Sequence, residues 1–126
     1  MFQPTQKWVA ELCRGLYHEG AEGVLVISAE EVPPDVLPTG LLTLLLECRE
    51  GRCVRAELSP GPQDGDYVLE GAYSDYLKIF EGELPPFAAF APGEIRLVKG
   101  SVSKLADYMS LALEIVKAAR KAVGYM

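Results

Sequence analysis

Apolar positions along this chain change their period several times, and each change marks an element. Trp8, Val9, Leu12, Cys13, Leu16 and Tyr17 recur on one face of a 3.6-residue repeat. The spacing predicts an amphipathic helix over 5–19, with Thr5 as its N-cap and Gly20 closing it. Val24 to Ala29 is apolar and rich in β-branched residues, which predicts a strand. Pro33, Pro34 and Pro38 keep the stretch 30–40 irregular.

Leu41–Glu47 and Cys53–Leu58 read as the arms of a hairpin. A two-residue turn at Glu50-Gly51 would set Glu47 opposite Val54 and mix buried with exposed faces. A three-residue loop, Arg49-Glu50-Gly51, repairs this. Leu42, Leu44 and Leu46 then face Leu58, Ala56 and Val54, with Cys48 and Cys53 on opposite sides and unbonded. Beyond the Gly/Pro loop 59–65, Asp66–Ala72 alternates as a further strand. Ser74 is placed to cap a short helix bearing Leu77 and Phe80 and ended by Gly82. Pro85-Pro86 opens another helical turn through Phe87 and Phe90, which Pro92-Gly93 stops. Glu94–Lys99 is the last strand, and Ser101 begins a helix to about Val123. The order α-β-β-β-β-α-α-β-α groups strands instead of alternating them with helices. That is an α+β fold, not a doubly wound one.

At 126 residues the chain fits one domain, 1–126, large enough for a core without staples. Its net charge of −6 argues against nucleic acid, whose phosphates need Lys and Arg. Cations nevertheless gather near the C-terminus, where Lys104, Lys117, Arg120 and Lys121 outnumber Asp107 and Glu114. Such cations complement a helix dipole, and they also give an expectation of transient membrane contact through the C-terminal helix. The longest apolar run, Leu41–Leu46, is too short to span a bilayer, and Met1–Pro4 does not resemble a signal peptide. A cytoplasmic location is therefore expected. Asn is absent and Gln occurs three times, a scarcity of thermolabile amides that hints at a thermophile.

Candidate chemistry is thin. His18, the single histidine, ends the first predicted helix with no nucleophile or orienting group near it in sequence. It reads as a dipole partner. Gly61–Gly65 lacks the Lys and spacing of a phosphate loop. Cys13, His18, Cys48 and Cys53 supply four zinc ligands by count only. Positions five apart on a helix do not share a face, and the preferred hairpin register separates the other two. The expectation is three reduced cysteines packed as small hydrophobes, no metal, no cofactor and no catalytic residue.

More telling is a surplus of apolar surface. Val24–Ile27 and Leu41–Leu46 are apolar on both faces, whereas hairpin strands usually show water one side. The last helix carries two stripes: Val102, Leu105, Met109, Ala112, Val116 and Ala119, then Leu111, Ile115, Ala118 and Ala122. A tightly covered core, a subunit interface (a homodimer) and an internal lipid cavity each account for this. If one stripe packs on the sheet, the other is free for a partner chain or lipid.

The second half of the chain carries an ordered set of short motifs. Asp66-Tyr67-Val68-Leu69-Glu70-Gly71 is followed by Tyr76-Leu77, Gly82-Glu83-Leu84, Ala88-Ala89, Gly93-Glu94-Ile95, Lys99-Gly100 and Leu105. Together they resemble the sterol carrier protein 2 family, also called the sterol-binding domain family. The likeness spans about 23–115 and is concentrated in 66–105. It implies a five-stranded mixed sheet covered by helices, enclosing an apolar tunnel for a fatty acyl chain, phospholipid or sterol. It brings no catalytic residues with it. The long final helix and the Pro33–Pro38 loop depart from the pattern.

For such a carrier, the cavity is expected between the sheet and the final two helical segments. Its lining would be Leu44, Leu46, Phe87, Phe90, Leu105, Tyr108, Met109 and Ala112, with the Tyr108 hydroxyl at a head group. The alternative is a dimerisation or regulatory module of the same fold with a collapsed pocket.

Overall fold

The computed structural model describes residues 5–101 and 105–122, with the backbone alone for 105–108. Its elements follow the predicted order: α1 (Gln6–Gly15), β1 (Gly23–Glu30), β2 (Leu42–Arg49), β3 (Arg52–Ser59), β4 (Tyr67–Ala72), α2 (Tyr73–Phe80), α3 (Pro86–Phe90), β5 (Ile95–Lys99) and α4 (Leu105–Lys121). The five strands form one mixed sheet, β3-β2-β1-β4-β5, in which β1 and β4 are parallel and every other pair is antiparallel.

That topology requires a crossover, because a parallel neighbour cannot be reached by a tight turn. Residues 60–66 make it, crossing the sheet face opposite the helices. Val26, Thr43 and Leu45 are buried on that face. The Thr43 hydroxyl donates to the Gly61 carbonyl at 2.7 Å and accepts from Gln63 Nε2 at 2.9 Å. A Cβ at Gly65 would lie 2.8 Å from the Val24 carbonyl, so only glycine lets the crossover come so close. The apolar outer face of β1 and β2 is thus explained by a strap of the same chain.

The other face carries the main core. Leu25, Ile27, Leu44, Leu46, Leu69 and Ile95 point into it beneath the helices. Thr5 accepts from the Trp8 N–H as predicted for an N-cap. Trp8 is fully buried, donates from Nε1 to the Ala119 carbonyl at 3.0 Å and meets Phe80 edge-to-face at 5.8 Å.

Several expectations are corrected. First, α1 stops at Gly15, and Leu16 is already extended. Tyr17 instead bridges Arg52, His18 N donates to the Gly51 carbonyl, and Gly51 N donates to the Ala21 carbonyl. The segment satisfies backbone groups near the start of β3 that an edge strand would leave open. Gly20, at φ +84, serves this turn and not the helix end.

Second, the hairpin turn has two residues. Glu50 and Gly51 both have positive φ, 52° and 83°, as a type I′ turn demands. The face mixing this should cause is undone by a bulge between Glu47 and Cys48. Cys48 opposes Cys53, then Glu47 opposes Arg55, leaving Val54 over. Leu44 therefore faces Leu58 and Leu46 faces Ala56, a shift from the expected register that preserves its parity. Cys48 and Cys53 are cross-strand partners, not residues of opposite faces.

Third, the cysteines are not all thiols. Cys13 of α1 is bonded to Cys53 of β3, with Cα atoms 5.1 Å apart. Cys48 and Cys53 are unbonded to each other, and Cys48 is free and buried. Burial, with Glu22 and Glu47 adding to it, pushes the Cys48 thiol up from its ordinary value.

Fourth, the two stripes of α4 do not divide cleanly into a sheet-facing one and a free one, and Leu111, Ala112, Ile115 and Val116, drawn from both, border one space. Ile115, Ala118, Ala119 and Ala122 are buried in the core, with Leu111 and Val116 packed against it. Small alanines let α4 approach closely, a Cβ at Gly15 lying only 3.9 Å from that of Ala118. Val102 and the side chain of Leu105 lie outside the described residues. Ser74 caps nothing, since α2 starts straight from β4 with Ala72 at its N-cap. Gly82 and Pro85-Pro86 act as predicted, at φ +82 and at the first turn of α3.

Candidate ligand cavity

Alternate residues of β1 aim at the helices, which places Leu25 and Ile27 on one floor with Leu69 of β4 and Ile95 of β5. Over that floor α2 and α4 do not quite close. A cavity of about 50 Å³ remains, roofed by Tyr76, Ile79 and Phe80 of α2 and by Leu111, Ala112, Ile115 and Val116 of α4. Pro86 and Phe90 of α3 close its side. A second cavity of about 30 Å³ lies toward α1 and the hairpin, between Trp8, Leu44, Leu58 and Tyr73. Ile27, Tyr76 and Phe80 line both, so they are the wall between them.

The first cavity also borders a larger cleft. Leu25 and Leu111 line both it and a space of about 240 Å³ edged by His18, Glu19, Glu22, Cys48 and Tyr67. Side by side, the chain thus holds a polar-rimmed space, a leucine partition, an apolar cavity, an aromatic partition and a second apolar cavity. Either apolar cavity alone is far below the ~300–1,000 Å³ of a small-molecule pocket. With the cleft included, the three together reach its lower end.

One polar group lies buried behind this apolar lining, out of contact with either space. Tyr76 is 6% exposed, and its hydroxyl is buried without a hydrogen-bond partner. Such an orphan costs about 1–3 kcal/mol. The ring lies against β4 at Gly71, where a Cβ would sit 3.4 Å from Tyr76 Cε2 and would collide with Ile95. Burial drives the phenol far above its ordinary range; Glu30 and Glu70 add to the shift and Arg96 opposes it. Tyr76 is therefore a permanent neutral donor. Among the described residues, no three His, Cys, Asp or Glu side chains converge as metal ligands.

Of the residues expected to line the cavity, Phe90 and Ala112 border the first space and Leu44 the second. Leu46 is fully buried but lines neither cavity, Met109 is half-buried and lines neither, and Phe87 is 70% exposed. The side chains of Leu105 and Tyr108 lie outside the described residues. Sequence reasoning missed Leu25, Ile27, Tyr76, Phe80 and Leu111. The signal for two of them was present, because Tyr76 and Phe80 are four apart on α2 and share a face.

No family model matches the chain, and no curated protein does. Solved structures do. A crystal structure of sterol carrier protein 2 is 30% identical, with a TM-score of 0.81 over 93% of this chain and 96% of that one. A conserved hypothetical protein of Thermus thermophilus, with sterol carrier protein as its suggested identity, is 29% identical. Its TM-score is also 0.81, over 94% of this chain and 88% of that one. A palmitated sterol carrier protein 2-like protein of Aedes aegypti shares the fold at 15% identity, with a TM-score of 0.54 over 73% of each chain.

Proposed function

Given that the chain belongs to the sterol carrier protein 2 family, we propose that it is a non-catalytic carrier for an apolar ligand. The ligand is a fatty acyl chain, phospholipid or sterol-like lipid, held in an internal tunnel. The observation that carries this reading is the row of three spaces, two of them apolar, sharing walls at Leu25 and Leu111, then at Ile27, Tyr76 and Phe80. Rotamer changes in these partitions, not a new fold, would join the spaces. Burying about a dozen methylenes at ~0.8 kcal/mol each contributes on the order of 10 kcal/mol gross. Ordering and association offset much of that, so micromolar affinity is the expected scale.

The test is a substitution inside the first cavity. Ala112→Phe should fill it and weaken binding of a fluorescent acyl-chain probe about tenfold or more, with thermal stability kept. Wild-type protein with no saturable binding to any acyl chain, phospholipid or sterol at about tens of micromolar would end the carrier reading. The second reading, a dimerisation or regulatory module with a collapsed pocket, is favoured by the small volume of the two apolar cavities. Native mass spectrometry separates the two, because a carrier brings bound lipid and a module brings a second subunit.

Among the described residues no helix is long and apolar enough to cross a membrane. Lys117, Arg120 and Lys121 are exposed along the end of α4 and offer transient contact with an anionic surface. A cytoplasmic location agrees with a Cys13–Cys53 disulfide only in an organism whose intracellular proteins keep such bonds. Hyperthermophiles do so, which accords with the absence of Asn.

A further inference from the structure

We propose that Cys48 is the first partner of Cys53: the disulfide closes across the hairpin as Cys48–Cys53 and passes to Cys13 when α1 docks on β3. The inference goes beyond the carrier reading and does not depend on it. Loop length, strand register and the final burial of Cys48 each support it.

In the unfolded chain the two bonds close loops of very different length. Cys13 and Cys53 are 40 residues apart, whereas Cys48 and Cys53 are separated by five. Closure probability falls roughly as the three-halves power of loop length, which favours the short loop about twentyfold. The Glu50-Gly51 turn works in the same direction, because its two positive φ angles fold β2 back on β3 locally. Contact between α1 and β3 has to wait for long-range packing.

Register then places the thiols. Arg49 and Arg52 flank a two-residue turn and so form a hydrogen-bonded pair, which makes the next pair, Cys48 and Cys53, non-hydrogen-bonded. Cα atoms in such a pair lie about 4.5 Å apart, inside the ~4.4–6.8 Å that a disulfide spans. Both residues belong to the helix-facing side, Cys48 within the core cluster and Cys53 packed against it. This is the side from which Cys13 of α1 reaches Cys53.

The chemistry balances in two steps. The thiols of Cys48 and Cys53 reduce one small disulfide, such as oxidised glutathione, giving it two electrons and two protons and gaining an S–S bond. The Cys13 thiolate then attacks Cys53 Sγ, the Cys48–Cys53 bond breaks, and Cys48 leaves as a thiolate and takes a proton. No further oxidant is consumed. The fold holds the second step in place. Cys48 ends 5% exposed, and burial keeps its thiol protonated at neutral pH, so the species that would attack back is scarce.

The test follows the bond during oxidative refolding. Reduced, unfolded protein is diluted into oxidised and reduced glutathione, quenched with iodoacetamide at intervals and digested with trypsin. Arg14, Arg49, Arg52 and Arg55 place the three cysteines on separate peptides, so each linkage has its own mass. Cys48–Cys53 should exceed Cys13–Cys53 about tenfold or more among the first-linked chains, with the ratio reversed at the end. Cys48→Ala should reach the same Cys13–Cys53 bond about tenfold more slowly. Cys13→Ser should stop at Cys48–Cys53 with no free thiol, and it keeps the idea testable if Cys48→Ala folds poorly. Three results overturn the relay: Cys13–Cys53 as the dominant first linkage, a Cys48→Ala protein that oxidises as fast as wild type, or two lasting thiols in Cys13→Ser.

Discussion

The two faces of β1 and β2 are alike in composition and differ in what covers them. Val26 and Leu46, one on each face, are both completely buried. The outer face is closed by the crossover 60–66, which follows the sheet through backbone and amide hydrogen bonds at Thr43. The inner face is closed by helices, which meet the sheet as stiff cylinders and leave gaps where their ridges diverge. The three neighbouring spaces, which share walls, lie on this second face. Apolar surface on both sides of a strand therefore does not point to a ligand. A cover that cannot mould itself to the sheet does.

This contrast predicts unequal responses to damage. The largest belongs to the helix face. Trp8→Ala removes a buried ring, its contact with Phe80 and its bond to Ala119, and should cost about 3–5 kcal/mol in denaturant unfolding. A loss below about 1 kcal/mol would mean that α1 and α4 are not held together by this residue.

Next comes the staple at the edge of that face. Cys13 and Cys53 are 40 residues apart, and closing such a loop restricts the unfolded chain by up to about 4 kcal/mol. Cys13→Ser/Cys53→Ser, or reduction with dithiothreitol, should lower stability by about 2–4 kcal/mol. Thiol titration should find no fast-reacting cysteine in the native protein and one, the buried Cys48, after denaturation without reductant. Three reactive thiols under native conditions would contradict the bond.

The smallest effect is expected at the strap. Gln63→Ala removes the amide that bonds to the Thr43 hydroxyl and carbonyl, and should cost about 1 kcal/mol. Lipid binding should be unaffected. A change in binding without a change in stability would show that the strap, and not only the helices, controls the cavity.

Much of this molecule was legible before its structure. Periodicity and turn chemistry gave all nine elements in order, because Thr5, Gly82, Pro85 and Pro86 act within a few residues of themselves. The ordered motifs of the second half pointed to the family that the structural comparisons show. The candidate cavity was less legible. Phe90, Ala112 and Leu44 are among its walls, but Phe87 shares the same short helix and faces out. An i, i+3 spacing defines a face without saying what the face meets.

What the sequence alone determined is what short-range forces decide: helix or strand, where each stops, and which residues can share a side. Tertiary structure decided the rest. One unpaired residue, Val54, moved the hairpin register, because a bulge depends on which faces must match across the whole sheet. Cys13 met Cys53 because α1 lies along β3, a contact between residues that no local pattern relates. Ile115, Ala118, Ala119 and Ala122 of α4 turned inward because α1 and the sheet stand beside them. The orphaned hydroxyl of Tyr76 exists because Gly71 and Ile95, from two other strands, seat its ring where no acceptor reaches it. Burial and orphaning are properties of neighbours, and a linear pattern names none of them.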